Sequence, residues 1–259
     1  VDMISFTGST IVGKRVMALA SESVKKVFLE LGGKSANIIL DDSDLSQSLL
    51  SSLAVCFHAG QGCAIHTRLL IPKSRRDEIE SLLQTYFGYI EYGDPMSETQ
   101  IMGPLINARQ RDRVLEYIDK GKREGARILL GGGMPKHLDR GYYIEPTVFI
   151  DVTNEMVIAQ EEIFGPVLVV IEYETEDEAI NIANNSPYGL SAGVWSGSEE
   201  KGLAVARRLR TGTVTVNGGN YYGADAPFGG YKQSGIGREM GREGFEEYLE
   251  TKTIAIGVS

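Results

Sequence analysis

Cysteine is nearly absent from this chain. Two of its 259 residues are Cys, at positions 56 and 63. Two are too few for a disulfide framework, and their separation of seven is not that of a zinc knuckle. Unpaired thiols suit a reducing compartment, so a cytoplasmic location is expected. Histidine is scarce too: His58, His66 and His137 make no ligand spacing with a Cys or an acidic cluster, and no metal is expected. Long apolar runs are missing. The longest mainly apolar stretches, such as residues 36–40 and 167–171, are far shorter than the roughly 20 residues of a membrane helix, so no membrane partner is expected. No basic run occurs, and 35 acidic against 26 basic side chains give a net charge of −9, which argues against a nucleic-acid surface. The opening Val1-Asp2-Met3-Ile4-Ser5-Phe6 has neither an initiator Met nor a signal-like segment, as if cut from something longer.

What is present is ordinary globular composition, 42% apolar and 24% charged, in a length that can hold one large domain or two of ordinary size. The first six residues alternate like a strand, and Thr7-Gly8-Ser9-Thr10 leads into an amphipathic run over 14–20. Residues 24–31 and 36–40 read as two short strands separated by Gly32-Gly33-Lys34. Residues 44–57 have helical apolar spacing, with Asp42, Ser43 or Asp44 as the cap. Further strand patterns fall at 68–71, 127–130, 143–151, 167–173 and 213–217, and helical ones at 75–87, 109–124, 176–184 and 199–209. Alternation of this kind predicts an α/β domain with an open, mostly parallel sheet flanked by helices. Near the end, a Gly-rich loop over 227–237 precedes a charged helix over 238–249. Residues 251–258 then alternate like an exposed strand, which is expected to pair with another chain.

Cys63 lies in Gly60-Gln61-Gly62-Cys63, a Gly-rich bend between a helical run and a strand. Free backbone N–H groups at such a bend can favour a thiolate and hold the oxyanion formed when it attacks a carbonyl. Taken alone, the residue fits equally a small buried hydrophobe. Glu30, flanked by Leu29 and Leu31 at a strand end before two glycines, has the setting of a carboxylate with a raised pKa suited to general-base work. A solvated strand-end Glu would look the same.

The combination is more specific. Thr7-Gly8-Ser9-Thr10, Leu29-Glu30-Leu31-Gly32-Gly33-Lys34-Ser35, Gly60-Gln61-Gly62-Cys63, Glu161-Glu162-Ile163-Phe164-Gly165-Pro166-Val167 and Pro227-Phe228-Gly229-Gly230-Tyr231-Lys232-Gln233-Ser234-Gly235 occur in this order. Together they resemble the aldehyde dehydrogenase superfamily over essentially the whole chain. The resemblance implies NAD(P)-dependent oxidation of a small-molecule aldehyde to a carboxylic acid, with NAD favoured over NADP. Cys63 would be the nucleophile, passing through a thiohemiacetal and a thioester, and Glu30 the base that deprotonates the deacylating water. Gly8 and Ser9 would approach the cofactor pyrophosphate, Leu31 and Gly32 the nicotinamide, and Glu162 the ribose hydroxyls. Phe164 would flank the nicotinamide ring, while Phe228 either walls the aldehyde tunnel or packs its own loop.

The resemblance also implies a division of the chain. Residues 1–32 would be the last strands of a Rossmann-like cofactor domain, 33–230 the catalytic domain, and 231–259 a C-terminal helix and oligomerisation strand of a homo-oligomer. Family members carry a longer N-terminal region with a cofactor-binding lysine and the asparagine that completes the oxyanion hole. The chain by itself is therefore expected to lack cofactor-dependent turnover. Ile65, followed by His66, stands where the family more often has a small residue, a departure that bears on substrate shape. Two other readings compete: a cofactor-independent cysteine hydrolase or esterase pairing Cys63 with His66 or His58, and a non-catalytic protomer kept for assembly.

Overall fold

Strand, tight turn and helix follow one another at the start of the chain, as the Gly-Ser pair at positions 8 and 9 dictates. The computed structural model describes residues 1–219 and 222–257. β1 (Met3–Thr7) leads into α1 (Thr10–Ser21), where the Ser9 hydroxyl caps the helix by accepting the Val12 N–H. β2 (Lys26–Glu30) lies parallel to β1, and β3 (Ser35–Ile39) follows after four residues. Next come α2 (Leu45–Ser48), a 3₁₀ stretch over Leu49–Gly60, β4 (His66–Pro72), α3 (Arg76–Gly88), α4 (Ala108–Arg123) and β5 (Arg127–Leu130). β6 (Thr147–Ile150), α5 (Val157–Gln160), β7 (Val167–Tyr173), α6 (Glu176–Asn184), β8 (Tyr188–Gly189) and β9 (Ser191–Trp195) continue the chain. It closes with α7 (Glu199–Ala206), β10 (Thr213–Val216), β11 (Tyr231–Lys232), β12 (Gly235–Ile236) and α8 (Gly241–Glu246).

Seven strands form one sheet in the order β10-β9-β3-β4-β7-β6-β5, parallel except where β5 meets β6. The expected open, mostly parallel α/β sheet is thus present. Its strands are apolar on both sides because both faces are covered. Ile39, Leu69 and Ile71 feed one core with Ile79, Leu83, Phe87, Val114 and Ile118 of α3 and α4. Their neighbours Ile38, Leu40 and Leu70 feed the opposite core with Ala179, Ile180 and Val205 of α6 and α7. Successive residues point to opposite faces, so one short strand serves two cores.

A smaller sheet, β1-β2-β12, stands beside the first. Its third strand comes from the far end of the chain: Gly235 pairs with Glu30 antiparallel, and the Leu31 N–H donates to the Ser234 carbonyl at 2.8 Å. Gly235 has φ +148°, and a Cβ there would fall 2.1 Å from the Leu29 carbonyl oxygen. Only glycine permits that approach. The start of the segment expected to form the C-terminal helix and oligomerisation strand thus pairs with the strand carrying Glu30.

Several elements differ from their sequence expectation. Asp44 does cap the helix expected over 44–57, but α2 gives way to a 3₁₀ stretch after one turn. The hydroxyls of Ser51 and Ser52 each donate to the carbonyl three residues back, at 2.5 Å, within that tightened run. The strand expected over 143–151 begins only at Thr147, because Pro146 has no N–H to donate. The charged helix expected over 238–249 shrinks to α8, whose N-cap Met240 and first residue Gly241 have φ +58° and +61°. The C-terminal strand is not formed: residues 251–257 have no regular secondary structure, and an extended segment gains ladder hydrogen bonds only from a neighbouring strand. Val258 lies outside the described residues.

Arg68 of β4 locks the large sheet to its surroundings. Buried and facing no carboxylate, its guanidinium donates to the carbonyls of Lys34, Ile182 and Ala183 and to Asn154 Oδ1, all at 2.9–3.0 Å. Arg68→Met leaves four buried acceptors unpaired, and urea unfolding should show a loss of about 2–5 kcal/mol. A loss below about 0.5 kcal/mol would mean the acceptors find other partners.

Candidate active site

Two loops meet at the N-terminal ends of neighbouring parallel strands. One, residues 31–34, links β2 to β3, and the other, residues 61–65, leads into β4. The Ser35–His66 register sets these loops side by side. A Cβ at Gly33 would lie 2.4 Å from the Cys63 carbonyl oxygen, so the absence of a side chain lets the two backbones touch.

The Cys63 side chain is half-buried in the turn before β4. Burial pushes its thiol pKa up, and the charges of Glu162 and Glu30 push it further. The backbone N–H groups of Cys63 and Ala64 act in the opposite sense. Both N–H groups act in the sense that favours a thiolate. Cys56, fully buried, has its thiol raised to about 12 by burial and is chemically inert.

Glu30 ends β2 only 2% exposed, and neither carboxylate oxygen has a hydrogen-bond partner among the described residues. It is not the solvated strand-end residue. Burial, then the negative charge of Glu239, raise its pKa to about 8, partly offset by Arg238. Oε1 faces the Gly-rich loop, where a Cβ on Gly229 would come within 2.8 Å. Phe228 precedes that glycine, exchanging backbone hydrogen bonds with Glu239 at 2.8 and 2.7 Å and stacking edge-on against Tyr222 at 5.7 Å.

Glu162 reaches the same place from the loop before β7. Its Oε1 accepts the Gly33 N–H at 3.0 Å, and Oε2 lies where a Gly32 side chain would otherwise begin. Burial raises its carboxyl pKa, while the Gly33 N–H, Lys34 and Arg113 lower it. Arg113 also donates to the Glu162 carbonyl at 2.8 Å. Phe164, at φ +59° with its ring partly exposed, is held by Gln110, whose side-chain amide donates to the carbonyls of residues 163 and 164. Leu31 is buried, its side chain filling the space beside Gly13 of α1. Gly8 donates its N–H to the Glu30 carbonyl at 3.0 Å, while exposed Ser9 caps α1.

Cys63, Glu30, Gly32, Gly33 and Glu162 are thus brought together, and Phe228 and Gly8 are one contact away from Glu30. The His66 imidazole is committed elsewhere. Its Nε2 pairs with Ser191 Oγ at 3.0 Å, it packs where a side chain on Gly193 would sit, and burial holds its pKa down at about 4. The cysteine–histidine pairing that a hydrolase needs is not made by this residue. Sequence reasoning missed Lys34, whose buried Nζ has no hydrogen-bond partner among the described residues. Its signal was a lone cation in an otherwise small and apolar run between two strands.

A family model described as the aldehyde dehydrogenase family matches residues 1–254. The chain is 49% identical over 256 residues to 3-succinoylsemialdehyde-pyridine dehydrogenase of a Pseudomonas species, covering 98% of this chain and 54% of that protein. It is 46% identical over 256 residues to betaine aldehyde dehydrogenase of Brucella anthropi, covering 98% and 53%. The crystal structure of Mycobacterium tuberculosis aldehyde dehydrogenase complexed with NAD+ superposes with a TM-score of 0.96 at 48% identity, covering all of this chain and 54% of that one. The chain spans about half the length of the curated relatives it matches. It belongs to the aldehyde dehydrogenase family.

The buried Glu30 carboxyl has a consequence for stability. Between its ordinary value of 4.5 and about 8 the folded chain holds a proton that the unfolded chain has released, so stability falls as pH rises through that window. Glu30→Gln removes the decline. Thermal unfolding should show the variant gaining on the parent by on the order of a few kcal/mol between about pH 5 and pH 9. Parallel pH profiles for the two proteins would contradict the burial argument.

Proposed function

We propose that this member of the aldehyde dehydrogenase family is the catalytic, C-terminal portion of an NAD-dependent enzyme oxidising an aldehyde to a carboxylic acid. Residues 1–32 are read as the end of its cofactor domain, 33–230 as the catalytic domain and 231–259 as its tail. The observation that carries this reading is the arrangement at Cys63: one half-buried thiol, two backbone N–H groups beside it, and two carboxylates acting on it, Glu30 from the end of β2 and Glu162 from the loop before β7.

In the proposed reaction the Cys63 sulfur adds to the aldehyde carbon, and its own N–H steadies the oxyanion of the thiohemiacetal. A bound NAD would supply the acceptor for the hydride on this carbon. Glu30 then takes a proton from water as it attacks the thioester, and Cys63 departs as thiolate. A buried carboxyl with a pKa near 8 is a stronger base than an ordinary glutamate, at the expense of being largely protonated at neutral pH. Deacylation should therefore quicken as pH rises toward 8.

The residues present fit the cofactor. Gly8 and Ser9 open the first turn of α1, whose leading N–H groups lack intrahelical acceptors and suit a pyrophosphate. Glu162, partly exposed beside the side-chain-free Gly32, suits ribose hydroxyls, and the exposed Phe164 ring suits a nicotinamide face. Leu31, its side chain packed against α1, would meet that ring through its backbone, and Phe228 would wall the aldehyde path. Homo-oligomerisation through residues 251–258 and a cytoplasmic location belong to the same reading. Ile254 and Ile256 are exposed in that segment, and among the described residues no helix is long and apolar enough to cross a membrane.

The test is pre-steady-state NADH formation in the complete protein. Cys63→Ala should abolish the burst. Glu30→Gln should keep it while steady-state turnover falls by about 10²-fold or more. Glu162→Gln should slow hydride transfer while the thiol is alkylated at least as fast as in the parent, since the carboxylate that disfavours its anion is gone. A burst lost equally in the Cys63 and Glu30 variants would contradict the division of labour. The 259-residue chain alone should give no steady-state NADH. Turnover at the rate of the complete protein would contradict that expectation.

A further inference from the structure

Lys34 is 2% exposed, and its Nζ has no hydrogen-bond partner among the described residues. The cation that acts on it is Arg68, whose guanidinium donates to three carbonyls and the Asn154 side-chain amide. A Met of similar volume would fill this place without the cost of desolvating an ammonium. A lysine here is therefore unexplained by packing. The acidic groups that act on it are Glu162 and Glu161, from the loop before β7. Glu161 is already engaged, accepting the Tyr117 hydroxyl at 2.6 Å. Glu162 is anchored to Gly33, the residue preceding Lys34, and its other charged neighbour is Arg113 of α4. Tyr188 of β8 faces both carboxylates.

We infer that Lys34 is a positioning residue: its buried amine is the counter-charge that holds Glu162 ionised against the Gly33 N–H, in the place from which it would meet the cofactor ribose. This rests on the reading of Glu162 as the ribose acceptor. Burial lowers the amine to about 7, so its charge is gained or lost within the neutral range while Glu162 bears its own desolvation. Cofactor placement thereby becomes sensitive to pH through a residue that the cofactor does not touch.

The test titrates both groups in the 259-residue chain without cofactor, by NMR of [13Cε]lysine and [13Cδ]glutamate, with Lys34→Met and Glu162→Gln assigning the signals. Linkage requires reciprocity: Glu162→Gln should lower the Lys34 midpoint, and Lys34→Met should raise the Glu162 midpoint, each by about the same amount and at least about half a pH unit. If Lys34→Met fails to fold, the Glu162→Gln arm decides alone, since that side chain is partly exposed and its amide keeps the acceptor for Gly33. A Lys34 midpoint unmoved by Glu162→Gln overturns the pairing, as does an unmoved Glu162 midpoint in Lys34→Met. The cofactor reading fails separately, if Glu162→Gln leaves hydride transfer in the complete protein unchanged.

Discussion

The contact between Gly33 and the carbonyl of Cys63 is the constraint on which the site depends. Parallel strands β3 and β4 deliver their preceding loops to the same edge of the sheet, and the missing side chain lets those loops close to backbone distance. The same loop takes Glu30 from the end of β2, offers the Gly33 N–H to Glu162 and buries Lys34. A Cβ at position 33 would move the thiol away from both carboxylates. Most of the chemistry attributed to this fold is therefore fixed by backbone proximity, with the side chains placed afterwards by strand register.

Electrostatics then divides the labour. The thiol sits among groups that disfavour its anion, with only two N–H groups in its favour. Glu30 is buried with no hydrogen-bond partner among the described residues, its pKa raised to about 8, and His66, partly buried with its pKa lowered to about 4, is turned to Ser191. His66 is therefore not paired with the sulfur in the manner of a cysteine hydrolase. A site of this kind suits a nucleophile whose anion is favoured as substrate and cofactor approach, and a base that waits for the later step. Lys34 extends the pattern one layer inward, balancing a carboxylate from behind the loop.

Much of the fold was legible because apolar runs of four to seven residues, bounded by Gly and Pro, specify strands buried on both faces. β7 and α6 have the bounds that their patterns suggest. The 3₁₀ stretch was not legible, because serine side chains and the kink at residues 57–59 decided it rather than apolar spacing. Nor was the return of Gly235 and Ile236 to β2, a pairing over some 200 residues for which local pattern carries no signal. For the site, ordered motifs named Cys63, Glu30 and Glu162, but neither spacing nor composition could show that Glu30 is dry, that Leu31 points into α1, or that Lys34 lacks a partner among the described residues. Those are properties of three-dimensional burial.

The central claim is that Cys63 carries the acyl group and Glu30 releases it. The most direct measurement is peptide mass mapping of the Glu30→Gln complete protein quenched in acid after exposure to an aldehyde and NAD. The account predicts one acyl adduct, on the peptide containing Cys63, accumulating to near one per chain and absent without NAD. An adduct elsewhere, or no adduct under conditions where the same variant forms NADH, would contradict it.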